Sequence, residues 1–368
     1  PFDLEVAQCL YEALFEPAEA SLTGVVELLI VPDGPLQSLP FGLLVKQWDH
    51  MPDNDTGDET FTLASRGLGG VVEEVKSSKE PASKNPYTSY REANWLAQDF
   101  AITMLPSVSS LKALRGGTMV SSKAPEPFLG FGDPILGSTT GNKNIPDSAS
   151  LFSRGAVADV KEVKRLSRLP ETAYELNSIA EALGSSKESV ILGEDATESK
   201  VKSTDLTQAR VLAFATHGLV TGELKGLAEP ALVLTPPDVG SEEDDGLLTA
   251  SEVAQLKLDA DWVILSACNT ASSDGKPGAE GLSGLARSFF YAGARSLLVS
   301  HWPVETNSAL ELTTGIFDEM KRDSEIGRAE ALRRSRIRMI NHPTHLEYSH
   351  PFFWAPFVVV GEGSNVRQ

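Results

Sequence analysis

The sequence predicts an α/β fold, with a mainly parallel sheet covered by helices on both faces. Short apolar runs that suit buried strands alternate along the chain with stretches whose apolar residues recur at helical spacing. Two of these runs, RVLAFAT at 210–216 and WVILSA at 262–267, are each followed by a reactive side chain, His217 and Cys268. Because open α/β sheets bind ligands at the carboxyl ends of their strands, this pattern is typical of a sheet with a functional site.

The first part of the chain is expected to form an α/β unit that has no nucleophile at a strand end. Its predicted elements are helices at 4–15, 41–45, 90–98 and 107–114, and strands at 25–31, 70–75 and 100–105. A stretch rich in Gly, Ser, Lys and Pro at 116–126 then indicates a linker. We therefore expect two subdomains, residues 1–120 and residues 125–368.

The second part alternates strands and helices more regularly. Its predicted strands lie near positions 128, 190, 211, 231, 263, 296 and 357. Its predicted helices lie at 172–183, 282–292, 308–322 and 326–340, with further helix starts at 196 and 249. Thr249 and Glu252 have the spacing of a capping box, which supports the start at 249.

Composition limits the class of protein. A formal net charge of -19 over 368 residues argues against nonspecific nucleic-acid binding, which requires a basic surface. The two cysteines, Cys9 and Cys268, indicate no disulfide framework, so we expect a reducing compartment and a cytoplasmic location. No apolar stretch approaches the length of a membrane span. The chain begins without Met, so a longer protein is expected.

His217 and Cys268 form the central functional hypothesis. If the two apolar runs are neighbouring parallel strands, the imidazole and the thiol lie side by side at one edge of the sheet. An imidazole within hydrogen-bond reach makes a thiol a usable nucleophile, so the pair is interpreted as a Cys/His dyad. Each residue also has an ordinary explanation, because free cysteines are often buried as small hydrophobes and a histidine often ends a strand.

Motifs for other chemistries are absent from the sequence. It has no Walker sequence, no dinucleotide glycine fingerprint and no paired-cysteine zinc signature. His217 and His301 lack the spacing of metal ligands, and no G-x-S-x-G elbow indicates a serine hydrolase. We therefore expect chemistry that requires neither a metal nor an organic cofactor.

Several segments together resemble the CHAT-domain peptidases, which are caspase-like cysteine peptidases related to caspases and separases. The segments are FATHG at 214–218, LSACNT at 265–270, EGLSGLARSFFYAGARSLLVSHWPV at 280–304, HPFFWAPFVVVG at 350–361, LLIVPDGPLQSLPFGLL at 28–44 and LPSVSSL at 105–111. The resemblance covers nearly the whole chain. It implies a caspase-like fold, with a pseudo-protease subdomain followed by an active one, and an upstream region of helical repeats of the tetratricopeptide type.

The resemblance also implies roles for individual residues. His217 matches the catalytic histidine and Cys268 the nucleophile, and the backbone N–H groups of Gly218 and Cys268 would form an oxyanion hole. Glu280 matches an acidic residue beside the active site that shapes the nucleophile loop. An equally simple role for Glu280 is to cap a helix.

The residues that select the substrate are less clearly indicated. The family usually has acidic residues after its W-P-V element, and separases use an aspartate there to bind a basic side chain at P1, the residue before the cleaved bond. This chain has Glu305 and Thr306 at that point. Asp133 and Asp261, each near a strand end, are alternative acids for the same role, although structural capping is the simpler interpretation of both.

A basic cluster at 161–168 stands out in an otherwise acidic chain. Its simplest interpretation is a solvated helix face. A second interpretation is a self-cleavage or substrate-mimic loop around Arg154 or Arg168.

These observations predict a cysteine endopeptidase that acts on protein or peptide substrates and is regulated by an upstream region or a partner protein. The alternative is an inactive caspase-like scaffold that acts by binding other proteins. A latent protease that requires an activator lies between the two.

Overall fold

The computed structural model describes residues 1–48, 86–108, 110, 121–137, 160–224, 227–266, 284–302 and 304–364, except for the side chains of Pro86 and Thr306. The sequence predictions for a strand at 70–75, for most of the helix at 107–114, and for Arg154, Cys268 and Glu280 lie outside these residues. No helix in the described ranges combines the length and the apolar composition that crossing a bilayer requires.

The elements occur in the following order along the chain. They are α1 Leu4–Leu14, β1 Glu27–Ile30, β2 Val45–Gln47, α2 Pro86–Glu92, β3 Asn94–Trp95, α3 Leu96–Asp99, β4 Ala101–Met104, β5 Glu126–Pro134, α4 Val160–Val163, α5 Glu171–Ala182, β6 Val190–Gly193, α6 Glu198–Ser203, β7 Ala209–Ala215, β8 Gly218–Leu219, β9 Ala231–Val233, β10 Leu247–Thr249, α7 Ala250–Val253, β11 Trp262–Ser266, α8 Gly284–Ala292, β12 Ser296–Ser300, α9 Thr306–Arg322, α10 Arg328–Ile340, α11 Pro351–Trp354 and β13 Phe357–Gly361. Short 3₁₀ turns lie at Glu16–Leu22, Gly34–Ser38, Phe41–Leu43, Lys187–Ser189, Leu206–Gln208 and Leu346–Ser349.

Eight strands form the central sheet, in the order β1-β4-β13-β12-β11-β7-β5-β6. Every neighbouring pair is parallel except β12 and β13, which are antiparallel. The prediction of a mainly parallel α/β sheet is therefore confirmed. Strands from both halves of the chain join this sheet, because β13 pairs with β4 on one side and with β12 on the other. The division at about residue 120 stays a prediction.

The sheet is buried on both faces, since alternate residues of its central strands enter two different hydrophobic clusters. Phe214 of β7 and Leu265 of β11 pack on one face together with Phe289 of α8. On the opposite face, Ile264 of β11 packs with Leu176 of α5. The second face is also covered by α9 and α10, through residues that include Leu312 and Leu332. Central parallel strands covered in this way read as continuous apolar runs, which is what made them visible in the sequence.

Two smaller sheets accompany the large one. Strands β8, β9 and β10 form an antiparallel sheet next to the end of β7, and β2 pairs with β3. The predicted strand near position 231 is thus present as β9, but it belongs to the small antiparallel sheet. Thr249 caps α7 with the predicted capping box, because its backbone N–H donates to the Glu252 carboxylate at 2.9 Å.

Two local predictions were wrong. The expected helix at 41–45 is one 3₁₀ turn followed by β2, because the Leu44 carbonyl accepts a hydrogen bond from the N–H of Leu96, the residue that follows β3. The expected single helix at 90–98 is α2 and α3 interrupted by β3. In both places a pairing between segments about 50 positions apart overrides the local helical pattern.

Candidate active site

Three strands end together at one edge of the sheet. Gly132 of β5 is paired in register with Ala215 of β7, which is paired in turn with Ser266 of β11. The strands are parallel, so the chain leaves all three at the same edge. This is the edge at which an α/β sheet presents its functional groups.

His217 lies two residues beyond Ala215 and is held from both sides of its backbone. Its carbonyl accepts the N–H of Val233 at 2.9 Å, while the preceding Thr216 donates its hydroxyl to the Val233 carbonyl at 2.6 Å. The imidazole Nε2–H donates to the backbone carbonyl of Ser167 at 2.6 Å. The small antiparallel sheet therefore fixes where the histidine side chain stands.

The charge state of His217 follows from this environment. Burial lowers the pKa of its imidazole, and the bond to the Ser167 carbonyl and the charge of Glu223 oppose this only partly. The neutral imidazole is therefore favoured, with its proton on Nε2. A neutral imidazole is the form that accepts a proton from a thiol.

Cys268 and Glu280 lie outside the described residues, so their contacts remain undescribed. Cys268 follows Ser266 by two positions in the sequence, just as His217 follows Ala215. Gly218, the second predicted oxyanion donor, is the buried first residue of β8.

Asp133 stands at the end of β5 in an unusual backbone conformation. Its φ of 45° is the one positive value of a non-glycine residue within the described ranges. Aspartate tolerates this left-handed region better than most residues. The side-chain hydroxyl of Thr172, at the start of α5, accepts the Asp133 N–H at 2.9 Å. The residue is only 6% exposed.

The partner of the Asp133 carboxylate is Arg168. The guanidinium donates from Nε to Oδ1 at 2.7 Å and from a terminal nitrogen to Oδ2 at 2.8 Å. This two-pronged bond raises the pKa of Arg168 above its already high ordinary value. The residue before Arg168 is Ser167, whose carbonyl receives the His217 imidazole. The basic cluster of the sequence thus reaches the edge where the three strands end.

Glu305 and Thr306 lie between β12 and the body of α9. The Glu305 carboxylate accepts the backbone N–H groups of Asn307 and Ser308, at 3.1 and 2.8 Å, and so caps α9. Thr306 is the first residue of that helix. The Glu305 carboxylate therefore already has two donors from its own helix.

Asp261 lies at the opposite edge, immediately before β11 begins. Its carboxylate accepts the Ser122 N–H at 2.8 Å, and its own N–H donates to the Arg210 carbonyl. The structure therefore separates Asp261 from His217 by the length of the strands.

Glu175 was not anticipated from the sequence. It is fully buried in α5 and accepts hydroxyl hydrogen bonds from Ser266, at 3.1 Å, and from Thr313 of α9, also at 3.1 Å. Burial raises the pKa of its carboxyl to about 7, against the lowering effect of these two bonds. The signal was available, because Glu175 falls at helical spacing among the apolar residues Leu176 and Ile179.

His301, the other histidine singled out in the sequence, follows β12 and is buried. Burial, with a smaller contribution from Arg336, lowers the pKa of His301 to about 4. Its ring is therefore neutral near pH 7. Across the described portion of the chain, no three His, Cys, Asp or Glu side chains converge in a way that would hold a metal ion.

Comparison with known proteins places the chain in a family. The model of the CHAT domain matches residues 4–362. Tetratricopeptide repeat protein 28 of Homo sapiens is 26% identical over 399 residues, which cover 96% of this chain and 13% of that protein. The Mus musculus protein of the same name is 28% identical over 231 residues, 52% of this chain and 8% of that protein. The chain thus spans only a small part of the length of these relatives.

Two solved structures show a distant similarity in fold. The Arg-specific cysteine proteinase gingipain R aligns with a TM-score of 0.42 and 10% identity, over 77% of this chain and 60% of that chain. The Saccharomyces cerevisiae separase in its complex with securin aligns with a TM-score of 0.41 and 13% identity, over 72% of this chain and 14% of that chain.

Proposed function

The chain belongs to the CHAT domain family and has a caspase-like α/β fold, and from this premise we propose that it is a cysteine endopeptidase with Cys268 as nucleophile and His217 as general acid and base. The division into a pseudo-protease part, residues 1–120, and an active part, residues 125–368, belongs to the same proposal.

One observation supports the dyad above all others. β7 and β11 are adjacent and parallel, with Ala215 paired to Ser266. His217 comes two positions after Ala215, and Cys268 comes two positions after Ser266. The sequence hypothesis required these two strands to be neighbours. The lowered pKa of His217 adds to this, because a neutral imidazole can accept the proton of a thiol.

The proposed reaction is peptide hydrolysis through an acyl-enzyme. His217 takes the thiol proton, and the Cys268 sulfur attacks the scissile carbonyl carbon. The backbone N–H groups of Gly218 and Cys268 stabilise the oxyanion, and the loss of one such donor typically lowers the rate by about 10²–10³. The imidazolium then protonates the leaving amine. Water, deprotonated by His217, releases the acyl group and restores the thiol.

A preference for a basic side chain at P1 is part of the proposal, with Asp133 as the selecting acid. Its carboxylate is buried beside the carboxyl ends of β5 and β7 and already binds a guanidinium with both oxygens. Glu305 is a weaker candidate because both its oxygens accept backbone N–H groups of α9. Glu280 and Thr306 stay proposals for substrate contacts.

The substrates proposed here are proteins or peptides, and regulation comes from an upstream region or a partner protein. The curated relatives are named for tetratricopeptide repeats, which supports a helical-repeat region as that partner. A free thiol nucleophile also suits a reducing compartment such as the cytoplasm.

An irreversible thiol-reactive peptide probe tests the proposal. Wild-type protein should be labelled at one site, and Cys268→Ala should not be labelled while it unfolds at the same temperature as the wild type. Cys9→Ala is the matched control, because Cys9 is exposed and distant in sequence from the dyad, and it should leave the labelling unchanged.

The competing function is an inactive scaffold that works by binding other proteins. The names of the curated relatives favour it, because they refer to tetratricopeptide repeats, which bind other proteins, and to no catalytic activity. Cys268 that reacts no faster than the exposed Cys9 with every peptide probe would establish the scaffold and end the peptidase proposal.

A further inference from the structure

Strand β1 lies at one edge of the large sheet and, among the described strands, pairs with β4 alone. The Val26 carbonyl accepts the Ala101 N–H, and the Ile30 carbonyl is likewise bonded to the residue after β4. Neighbouring residues of a strand direct their backbone groups to opposite sides. The N–H and carbonyl groups of Glu27 and Leu29 therefore point away from the sheet, and no described strand pairs with them.

This edge has few of the features that keep other strands away. Natural edge strands commonly carry a lysine, a proline or a bulge. β1 has the sequence ELLI, with neither lysine nor proline, and its register with β4 is regular. The residues that flank it, Val26 and Val31, are apolar and 73% and 40% exposed. The edge can therefore accept a further strand.

A groove of about 460 Å³ lies beside the amino end of this strand. Glu27 and Ala101 contribute to it from β1 and β4, and Glu330 and Arg333 contribute from α10. Ligand pockets in proteins commonly have volumes of about 300–1,000 Å³. The groove is thus large enough for a side chain of a bound segment.

The charges of the groove are unequally compensated. The guanidinium groups of Arg333 and Arg334 both bind the Glu330 carboxylate, at 2.6 to 2.8 Å, so they are paired within the wall of the groove. Glu27 differs from Glu330, because its carboxylate accepts the Ser364 hydroxyl at 2.7 Å but contacts no cationic side chain of the described residues. A basic ligand would supply the missing charge.

We propose that β1 and this groove, together the β1 groove, are the docking site for an extended, basic segment of a partner protein. The segment adds a strand to β1 through the outward backbone groups of Glu27 and Leu29, and it places a lysine or arginine beside the Glu27 carboxylate. Backbone bonds of this kind give affinity, and the side chains that enter pockets give specificity.

The basic side chain would approach from the face that α10 covers. Leu28 and Ile30 pack into the hydrophobic cluster on the opposite face of the sheet. Because side chains alternate along a strand, Glu27 and Leu29 belong to the α10 face. The partner segment therefore needs basic residues on one face and apolar residues on the other.

A second copy of this chain suits the β1 groove less well. Two β1 strands that paired edge to edge would bring two acidic grooves together, in a chain whose formal net charge is -19. Like charges that face each other across a strand pair are destabilising. A basic segment is instead attracted by the negative potential of the chain.

The β1 groove is remote from the candidate active site. β4, β13, β12 and β11 lie between β1 and β7, the strand that leads to His217. Five strand spacings of about 4.8 Å place the two strands about 24 Å apart. A segment docked on β1 therefore leaves the candidate site open, and its binding can be tested independently of the proposed peptidase function.

The test uses a fluorescein-labelled peptide of alternating character, Val-Thr-Val-Lys-Val-Thr-Val. Fluorescence anisotropy should show saturable binding to the full chain. The same peptide with glutamate in place of lysine should bind at least about tenfold more weakly. Equal binding of the two peptides would refute the basic segment, and so would no binding of either peptide at millimolar protein concentration.

Two variants locate the binding on the protein. Glu27→Gln should weaken the lysine peptide by about tenfold, whereas Glu126→Gln should not. Glu126 is the matched control because it is an exposed glutamate at the start of another strand of the sheet, β5. Leu29→Pro removes one outward N–H and spares the ladder to β4, so it should also weaken binding by about tenfold or more. Unchanged binding by Glu27→Gln would refute the site.

Hydrogen exchange on the unmodified chain gives the same answer if Leu29→Pro does not fold. The lysine peptide should slow exchange of the Glu27 and Leu29 amides, because a strand added to β1 accepts hydrogen bonds from them. Binding without this slowing would refute strand addition. A concentration-dependent dimer seen by sedimentation, and lost in Glu27→Gln, would assign the β1 groove to a second copy and refute the partner segment.

Discussion

Carboxylate–guanidinium contacts occur at both edges of the central sheet, where its strands begin and where they end, and they differ in what they connect. At the amino end, Asp259 binds Arg295 at 2.6 Å, and both residues stand just before strands, β11 and β12. At the carboxyl end, Asp133 binds Arg168, which belongs to no strand of the large sheet. The first contact joins two parts of the sheet framework. The second joins the framework to the segment that precedes α5.

The contacts at the amino end, which involve Asp259, Asp261 and Arg295, are structural. Asp259 also accepts the Lys123 N–H, and its neighbour Asp261 accepts the Ser122 N–H. Burial opposes ionisation of Asp259, but the bonds from Arg295 and Lys123 prevail and hold the pKa of its carboxyl below the usual range. These contacts fix how three chain segments enter the sheet. Both contacts are Asp–Arg pairs, so the residue types do not tell a structural pair from a functional one. The end of the strands at which a pair lies does.

The largest effect is expected at His217. His217→Gln should slow labelling of Cys268 by about 10²–10⁴, because the thiol loses its base. The free energy of unfolding should change little, since glutamine keeps a side-chain N–H that can donate to the Ser167 carbonyl. His345→Gln, an exposed histidine that pairs with Glu347, is the control and should label like wild type. Equal labelling rates for the two variants would contradict the role of His217 as the base for Cys268.

Glu175 should show its effect in stability as a function of pH. Its pKa is raised from 4.5 to about 7, so the folded chain binds the proton more tightly than the unfolded chain does. The protein is therefore fully stabilised below about pH 4.5 and loses that stability as the pH rises to about 7. Glu175→Gln does not lose this stability. The free energy of unfolding of Glu175→Gln relative to wild type should therefore rise by on the order of 3 kcal/mol between these two pH values.

Urea denaturation at pH 4.5 and pH 7.5 measures this difference. Other titrating groups, including the buried Glu198, are common to both proteins and cancel. Glu181→Gln, an exposed change on the same helix, should show no such growth. A pH-independent difference between Glu175→Gln and wild type would show that this carboxyl is ionised at the same pH in the folded and unfolded chain.

Asp259→Asn should weaken the framework without touching the chemistry. The change removes the nearer carboxylate of the partly buried Arg295 guanidinium and leaves Asp261 at 3.9 Å, which costs about 1–3 kcal/mol of unfolding free energy. The rate at which a peptide acyloxymethyl ketone that ends with Arg labels Cys268 should stay that of wild type. A changed preference between this probe and one that ends with norleucine would break the distinction between the two ends.

Glu305→Ala should have the smallest effect. It removes the cap of α9 and is expected to cost about 1 kcal/mol of unfolding free energy. The ratio of labelling by the two probes should not change. A loss of Arg preference here, and not in Asp133→Asn, would transfer the selecting role from Asp133 to Glu305.

The fold was largely predictable because the central strands are buried on both faces. Their uninterrupted apolar runs identify them, and the reactive residues that follow two of them indicate the functional edge. That β7 and β11 would be adjacent was an inference from those reactive residues, and the structure confirms it. The strand near 357 was also found, but its antiparallel direction beside β12 was not, because an apolar run contains no information about its direction.

The parts that escaped prediction depend on contacts distant in sequence. Asp133 and Arg168 are 35 positions apart, and Glu175 meets Ser266 across 91 positions. The sequence suggested a substrate mimic around Arg168 but gave no means of choosing between that and a solvated helix face. In the structure that guanidinium binds the Asp133 carboxylate, so Arg168 is not a freely solvated side chain, and the mimic stays a hypothesis.

Strand β13 lies between β4 and β12, although it is the last of the described strands in the chain. During synthesis, β1 and β4 emerge early and then wait, because the neighbour that joins them to the other strands leaves the ribosome more than 250 residues later. Until then, β1 and β4 cannot join the strands β12, β11, β7, β5 and β6 in one sheet. A nascent chain is therefore unable to assemble the finished sheet, and any hydrolytic power that depends on it, before translation has passed Gly361.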